Sequence, residues 1–150
     1  AVRVEQLVLL EDGRFAETTP LEQLSSGEIT ILQPVGSLFF AGAAKFEDQL
    51  PAVGQARRAV VILRLRDRDE VGSTFIRAIE RYAIALQAQG NKLMLEGLGE
   101  QVWEQLERTE LLALIGEENV FLGQPEFGAA LREAVAAAEA WIAQDSEAVQ

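Results

Sequence analysis

The chain has 150 residues, a formal net charge of −11, 49% hydrophobic residues, and neither histidine nor cysteine. Without cysteine there are no disulfides or thiolate metal sites, and without histidine the commonest general base and zinc ligand are missing. So acidic a surface disfavours nucleic acid, whose phosphates need clustered positive charge over a wide face.

No apolar run reaches the roughly 18 residues of a membrane-spanning helix, so no direct membrane insertion by this fragment is expected. The chain opens at Ala1 and its one methionine is Met94, as expected of a portion of something longer. Its charge is uneven. Residues 57–68 carry five arginines against one aspartate, whereas 91–150 carry three basic residues against twelve acidic ones.

In chain order, Val4 to Leu10 reads as a strand. Asp12-Gly13 is a tight hairpin signal, with Phe15 to Thr18 as a short return strand. Residues 20–27 form a polar loop. Glu28 to Gln33 is a clear strand closed by Pro34, and Leu38-Phe39-Phe40 is a buried run placed to extend or resume the sheet. A short helix is expected over Lys45 to Leu50, ended by Pro51. Val60 to Leu63 is a β-branched run of strand length. A polar crest follows, and then Phe75, Ile76, Ile79, Tyr82, Ala83 and Leu86 recur on one helical face until Gly90.

Leu93-Met94-Leu95 is the next strand and Glu96 to Gly99 a glycine-bearing turn. Glu100 to Arg108 is a helix with Val102, Trp103 and Leu106 on one side, and apolar spacing continues to Gly116. Asn119 to Leu122 is a last short strand. A long alanine-rich helix runs from after Pro125 to about Gln144, with Phe127, Leu131, Val135, Ala138 and Ile142 as its apolar face. Strands alternating with helices at this spacing predict an α/β fold: a mixed, largely parallel sheet of four to six strands, packed with about four helices. One domain is expected over 1–150, with an N-terminal strand and loop (1–27), a core (28–145) and a tail (146–150).

The loop after Val60–Leu63 is where a partner or ligand is expected, since such sheets meet ligands at the carboxyl ends of their strands. The candidate interaction residues are Asp69, Glu70, Val71, Gly72, Ser73 and Thr74. Gly72 would permit the turn, and Ser73 or Thr74 would cap the helix. No phosphate-loop lysine follows Gly72, which argues against nucleotide hydrolysis there.

Arg64, Arg66 and Arg68 fall on one side of the strand and its extension, a candidate basic contact patch. The plainer reading is exposed pairing with Asp67, Asp69, Glu70 or Glu96, each pair worth under about 1 kcal/mol. The same four carboxylates could gather round a hard metal such as Mg²⁺, although nothing in their spacing demands it. Trp103 and Trp141 read as core or interface anchors.

Arg64 to Ile79 (RLRDRDEVGSTFIRAI), and Gln101 to Gly116 (QVWEQLERTELLALIG) followed by Glu118-Asn119-Val120-Phe121, resemble the two signatures of the STAS domain, the module shared by sulphate transporters and anti-sigma factor antagonists. Leu38 to Ala43 (LFFAGA) resembles a segment of SulP-family transporter domains. The resemblance covers roughly residues 28–143. It is strongest to the cytoplasmic C-terminal domains of SulP anion transporters, the cyanobacterial BicA-type bicarbonate transporters in particular.

This resemblance implies a STAS (anti-sigma factor antagonist-like) fold and a non-catalytic regulatory and assembly role. The implied partners are the protein's own transmembrane domain and a second copy (a homodimer), at the cytoplasmic side of the plasma (inner) membrane. No cofactor, metal or catalytic residue is implied. The alternatives are a free-standing partner-switching antagonist or a nucleotide-binding module. Three positions depart from the pattern. Val71 stands where antagonists carry the phosphorylated Ser or Thr, Gly42 where transporter relatives often carry asparagine, and Glu110 where many relatives carry glycine. Because a left-handed glutamate is unusual, the turn at Glu110 is expected to move toward Gly116.

Overall fold

The structure, a computed structural model, describes residues 2–39 and 41–148. Its centre is a six-stranded sheet in the order β2-β1-β3-β4-β5-β6. β1 (Arg3–Leu9) and β2 (Phe15–Thr18) form the hairpin expected around Gly13, and β1 also runs antiparallel to β3 (Ile29–Val35). β3, β4 (Val60–Arg64), β5 (Lys92–Leu98) and β6 (Val120–Leu122) are parallel to one another. Pro34 lies inside β3 rather than ending it. The last β4 pair is Leu32↔Leu63, so no ladder bond to β4 is lost at the proline.

Each parallel step moves the chain one strand in the same direction. With right-handed crossovers this puts every connecting helix on one face. α1 (Ala43–Asp48), α2 (Ser73–Ala88), α3 (Glu100–Arg108) and α4 (Leu111–Ile115) cover that face. They bury Phe46, Phe75, Ile79, Leu86 and Leu106 against Leu32, Val61, Leu63, Leu93 and Leu95. The rings of Phe46 and Phe75 meet edge-on, 5.6 Å between centroids. The opposite face is covered by α5 (Ala129–Ala148), which packs Leu131, Ala134 and Ala138 on Ile31, Val60, Ile62 and Met94. Its alanines let it lie close to the sheet.

Several local expectations are corrected. Leu38-Phe39 forms no strand: Leu38 is buried and Phe39 exposed at a bend, while Phe40 lies outside the described residues. β5 runs on through the expected turn, with a register irregularity between Glu96 and Leu98 and Gly97 at φ +85°. Phe127 precedes α5 and is 76% exposed instead of joining its apolar face.

α5 also continues through 146–148, assigned above to a tail; 149 and 150 lie outside the described residues. The turn after α3 is not displaced. Glu110 itself is left-handed, φ 65° and ψ 3°. The buried Leu106, Leu111 and Leu112 on either side hold it there, and packing overrides a local preference of about 1–2 kcal/mol. The tryptophans are half-buried, Trp103 against the four-helix core and Trp141 against the α5 core.

Candidate functional site

The loop between β4 and α2 leaves the sheet at Leu65, whose N–H donates to the Glu96 carbonyl at 2.9 Å. It turns at Asp67, a left-handed residue (φ 59°) of a type that tolerates that conformation. Val71 is then fully buried in the main core. Its N–H donates to Gln105 Oε1 of α3 at 2.9 Å, and its carbonyl accepts from Gln105 Nε2. One amide side chain thus satisfies both backbone groups of the residue that anchors the loop.

Gly72 donates to the Leu38 carbonyl at 2.6 Å. It has φ −65°, so its glycine is required by space and not by a left-handed turn. A Cβ there would sit 2.7 Å from the Phe39 carbonyl oxygen. α2 begins at Ser73 with no side-chain cap, so neither Ser73 nor Thr74 plays the capping role expected of it. Of the six loop residues, Asp69, Glu70, Ser73 and Thr74 are exposed, while Val71 and Gly72 are buried supports. A shallow depression separates Asp69 and Glu70 from Glu104 and Arg108 of α3. Among the described residues no three carboxylates gather as a metal site, so the Mg²⁺ arrangement does not form.

The three arginines do come together. α5 packs mainly over β4, β5 and β6, with β3 toward the margin of its contact. This leaves a groove of about 830 Å³ beside it, lined by Leu7, Gln33, Arg64, Arg66, Arg68 and Phe127 among others. Arg14 of the hairpin and Arg132 of α5 line it too, two cations that sequence reading missed because they are distant along the chain.

Arg64 Nε donates to Glu96 Oε2 at 2.6 Å, and Arg64 Nη1 to Gln33 Oε1 at 3.2 Å. This pair is buried, with the side chains 10% and 2% exposed, in contrast to the solvated pairing expected. Burial raises the Glu96 carboxyl above its ordinary value, and Arg64 offsets part of that rise. Arg68 donates to the Gly36 and Pro34 carbonyls at 2.6 and 2.7 Å, and burial lowers its guanidinium. Arg66 lies with its Cζ 4.5 Å from the centre of the Phe127 ring, and its Nε is 3.5 Å from Asp67 Oδ2. Gly97 makes room for it, since a Cβ there would meet the Arg66 Cβ at 3.2 Å.

The family model for the STAS domain matches residues 22–126. The chain belongs to the STAS domain family. That match spans both the loop and its Gln105 clamp.

Among solved structures, this STAS domain is similar to a sulfate transporter family protein from Wolinella succinogenes. The identity is 23%, covering 80% of this chain and 92% of that one, with TM-score 0.62. It is also similar to the SulP transporter STAS domain from Vibrio cholerae, at 28% identity over 88% of this chain and 94% of that one, TM-score 0.55. A third likeness is to SLC26A9, at 14% identity over 95% of this chain but only 25% of that one, TM-score 0.66. At 23% and 14% identity, the Wolinella and SLC26A9 likenesses show a shared fold. No curated protein matches the sequence. Among the described residues, no helix is long and apolar enough to cross a membrane.

Proposed function

We propose that this STAS domain is the non-catalytic regulatory and assembly domain of a SulP-type membrane anion transporter. In this reading it lies on the cytoplasmic side of the plasma (inner) membrane and acts through protein–protein contacts. The observation that carries the reading is the STAS match over 22–126, joined by likeness to domains of the sulfate transporter family.

The loop supports the reading. Asp69, Glu70, Ser73 and Thr74 form an exposed rim on a backbone held by Gln105 and by the Leu38–Phe39 segment. A rigid rim suits a contact surface, because little conformational entropy is lost on docking. The partners are the protein's own transmembrane domain and a second copy of this chain. Bicarbonate as the anion rests on the sequence resemblance to BicA-type transporters. The whole chain 1–150 acts as one domain.

The partner-switching alternative needs a hydroxyl at position 71, and the buried Val71 has none. The deciding experiment is the native gene upstream of Ala1. Several apolar segments of about 20 residues are expected there, and a gene starting at Ala1 overturns the transporter reading. In the full-length protein, Asp69→Lys with Glu70→Lys is expected to alter anion uptake, measured with labelled bicarbonate in vesicles, without loss of membrane insertion. Light scattering of the 150-residue chain at high concentration tests the homodimer.

A further inference from the structure

We propose that the groove between α5 and the β1–β3 half of the sheet binds a small polyanion, a molecule carrying two or more phosphate or carboxylate groups. The first support is charge placement. In a chain of net charge −11, five of its thirteen basic residues, Arg14, Arg64, Arg66, Arg68 and Arg132, line this one groove. All five are arginines, whose planar fork matches carboxylate and phosphate oxygens.

The second support is how these cations are held. Arg64 and Arg68 are fixed at the base by Glu96, Gln33 and two backbone carbonyls, and the Nε of Arg68 is buried with no hydrogen-bond partner among the described residues. Arg14, Arg66 and Arg132 are exposed. Their pairs with Asp12 (2.8 Å), Asp67 (3.5 Å) and Glu126 (3.1 Å) are exposed, so a stronger anion displaces those carboxylates at small cost. The terminal nitrogens of Arg66 have no hydrogen bond among the described residues, and its guanidinium lies against the Phe127 ring.

The third support is position. The groove lies at the carboxyl ends of β3 and β4, and the first turn of the 20-residue α5 lines its rim with the positive end of the helix dipole. Size and charge fix the class of ligand. A volume of about 830 Å³ exceeds what one inorganic ion fills, while the acidic remainder of the chain disfavours nucleic acid. The inference does not rest on the transporter reading, since it concerns binding to this domain whatever it is attached to.

Calorimetric titration of the 150-residue chain with pyrophosphate and with citrate tests it. One-to-one binding is expected for at least one of the two, weakening with added NaCl. Arg66→Ala and Arg132→Ala should each weaken it by about tenfold. Arg81→Ala, on the far face, should leave it unchanged. Circular dichroism of each variant should match the wild type, and in amide NMR spectra the ligand should shift Arg66, Gly128 and Arg132. Absence of binding by both probes overturns the proposal. So does binding undiminished in both arginine variants, or shifts confined to another surface.

Discussion

The two faces of the sheet are built on different terms. One carries four helices and a continuous apolar core, in which Phe46, Phe75, Leu32 and Leu95 are wholly buried. The other carries one helix, contacts made largely through alanines, a buried ion pair and an arginine-lined groove. The asymmetry follows from topology. Successive right-handed crossovers send every connecting helix to the same side, so the second face has only the segment after β6 to cover it. One helix cannot span six strands. The first face therefore supplies most of the buried apolar contact and anchors the loop, while the second leaves the arginine-lined groove open.

The largest effect that would sharpen this contrast is Phe75→Ala. It opens a cavity beneath the loop and should cost about 3–5 kcal/mol in urea denaturation. On the other face, Ala134→Leu should act by overpacking, lifting α5 from β4 and β5 at a cost of about 1–3 kcal/mol. If Ala134→Leu cost nothing, α5 would be loosely seated and the contrast would fail. Gln105→Ala strips both hydrogen bonds from Val71. It should cost about 1–3 kcal/mol and speed amide exchange at Val71 and Gly72, with exchange on the α5 face unaltered.

Glu110→Gly should add about 1 kcal/mol by relieving a left-handed glutamate, seen as a raised Tm. Burial raises the folded pKa of Glu96 above its unfolded value, so the folded state holds its proton more tightly. That contribution is fully present below the unfolded value and is lost as pH rises through the folded one. Glu96→Gln removes this titration. The stability of the wild type relative to Glu96→Gln should therefore fall as pH rises through that window, measured by denaturation across mildly acidic to neutral pH. A difference independent of pH would show that Arg64 cancels the burial.

Periodicity made most of the fold legible. Val60–Leu63 and the Phe75–Leu86 stripe announce β4 and α2, because burial on a strand or helix face leaves a repeating pattern. Features set by tertiary approach left no such mark. Gly72 and Gly97 look alike in sequence, yet one is needed for contact with a carbonyl and the other for a left-handed bulge beside Arg66. Gln105 is one polar residue on a helix, and nothing local says that it reaches Val71. Strand alternation made the arginines at 64, 66 and 68 readable as a patch, yet β4 ends at Arg64, and Arg66 and Arg68 line the groove from the turn around left-handed Asp67. Arg14 and Arg132 join only when the hairpin and α5 come together across the groove.

The order β2-β1-β3-β4-β5-β6 also settles what lies at the margins of the sheet. The outermost strands have four residues, Phe15–Thr18, and three, Val120–Leu122. Short margins give another chain few unpaired amides and carbonyls to extend, which is one way native sheets resist edge-to-edge aggregation. A surface meant for docking on this domain would therefore have to be read from its side chains and their uneven charge.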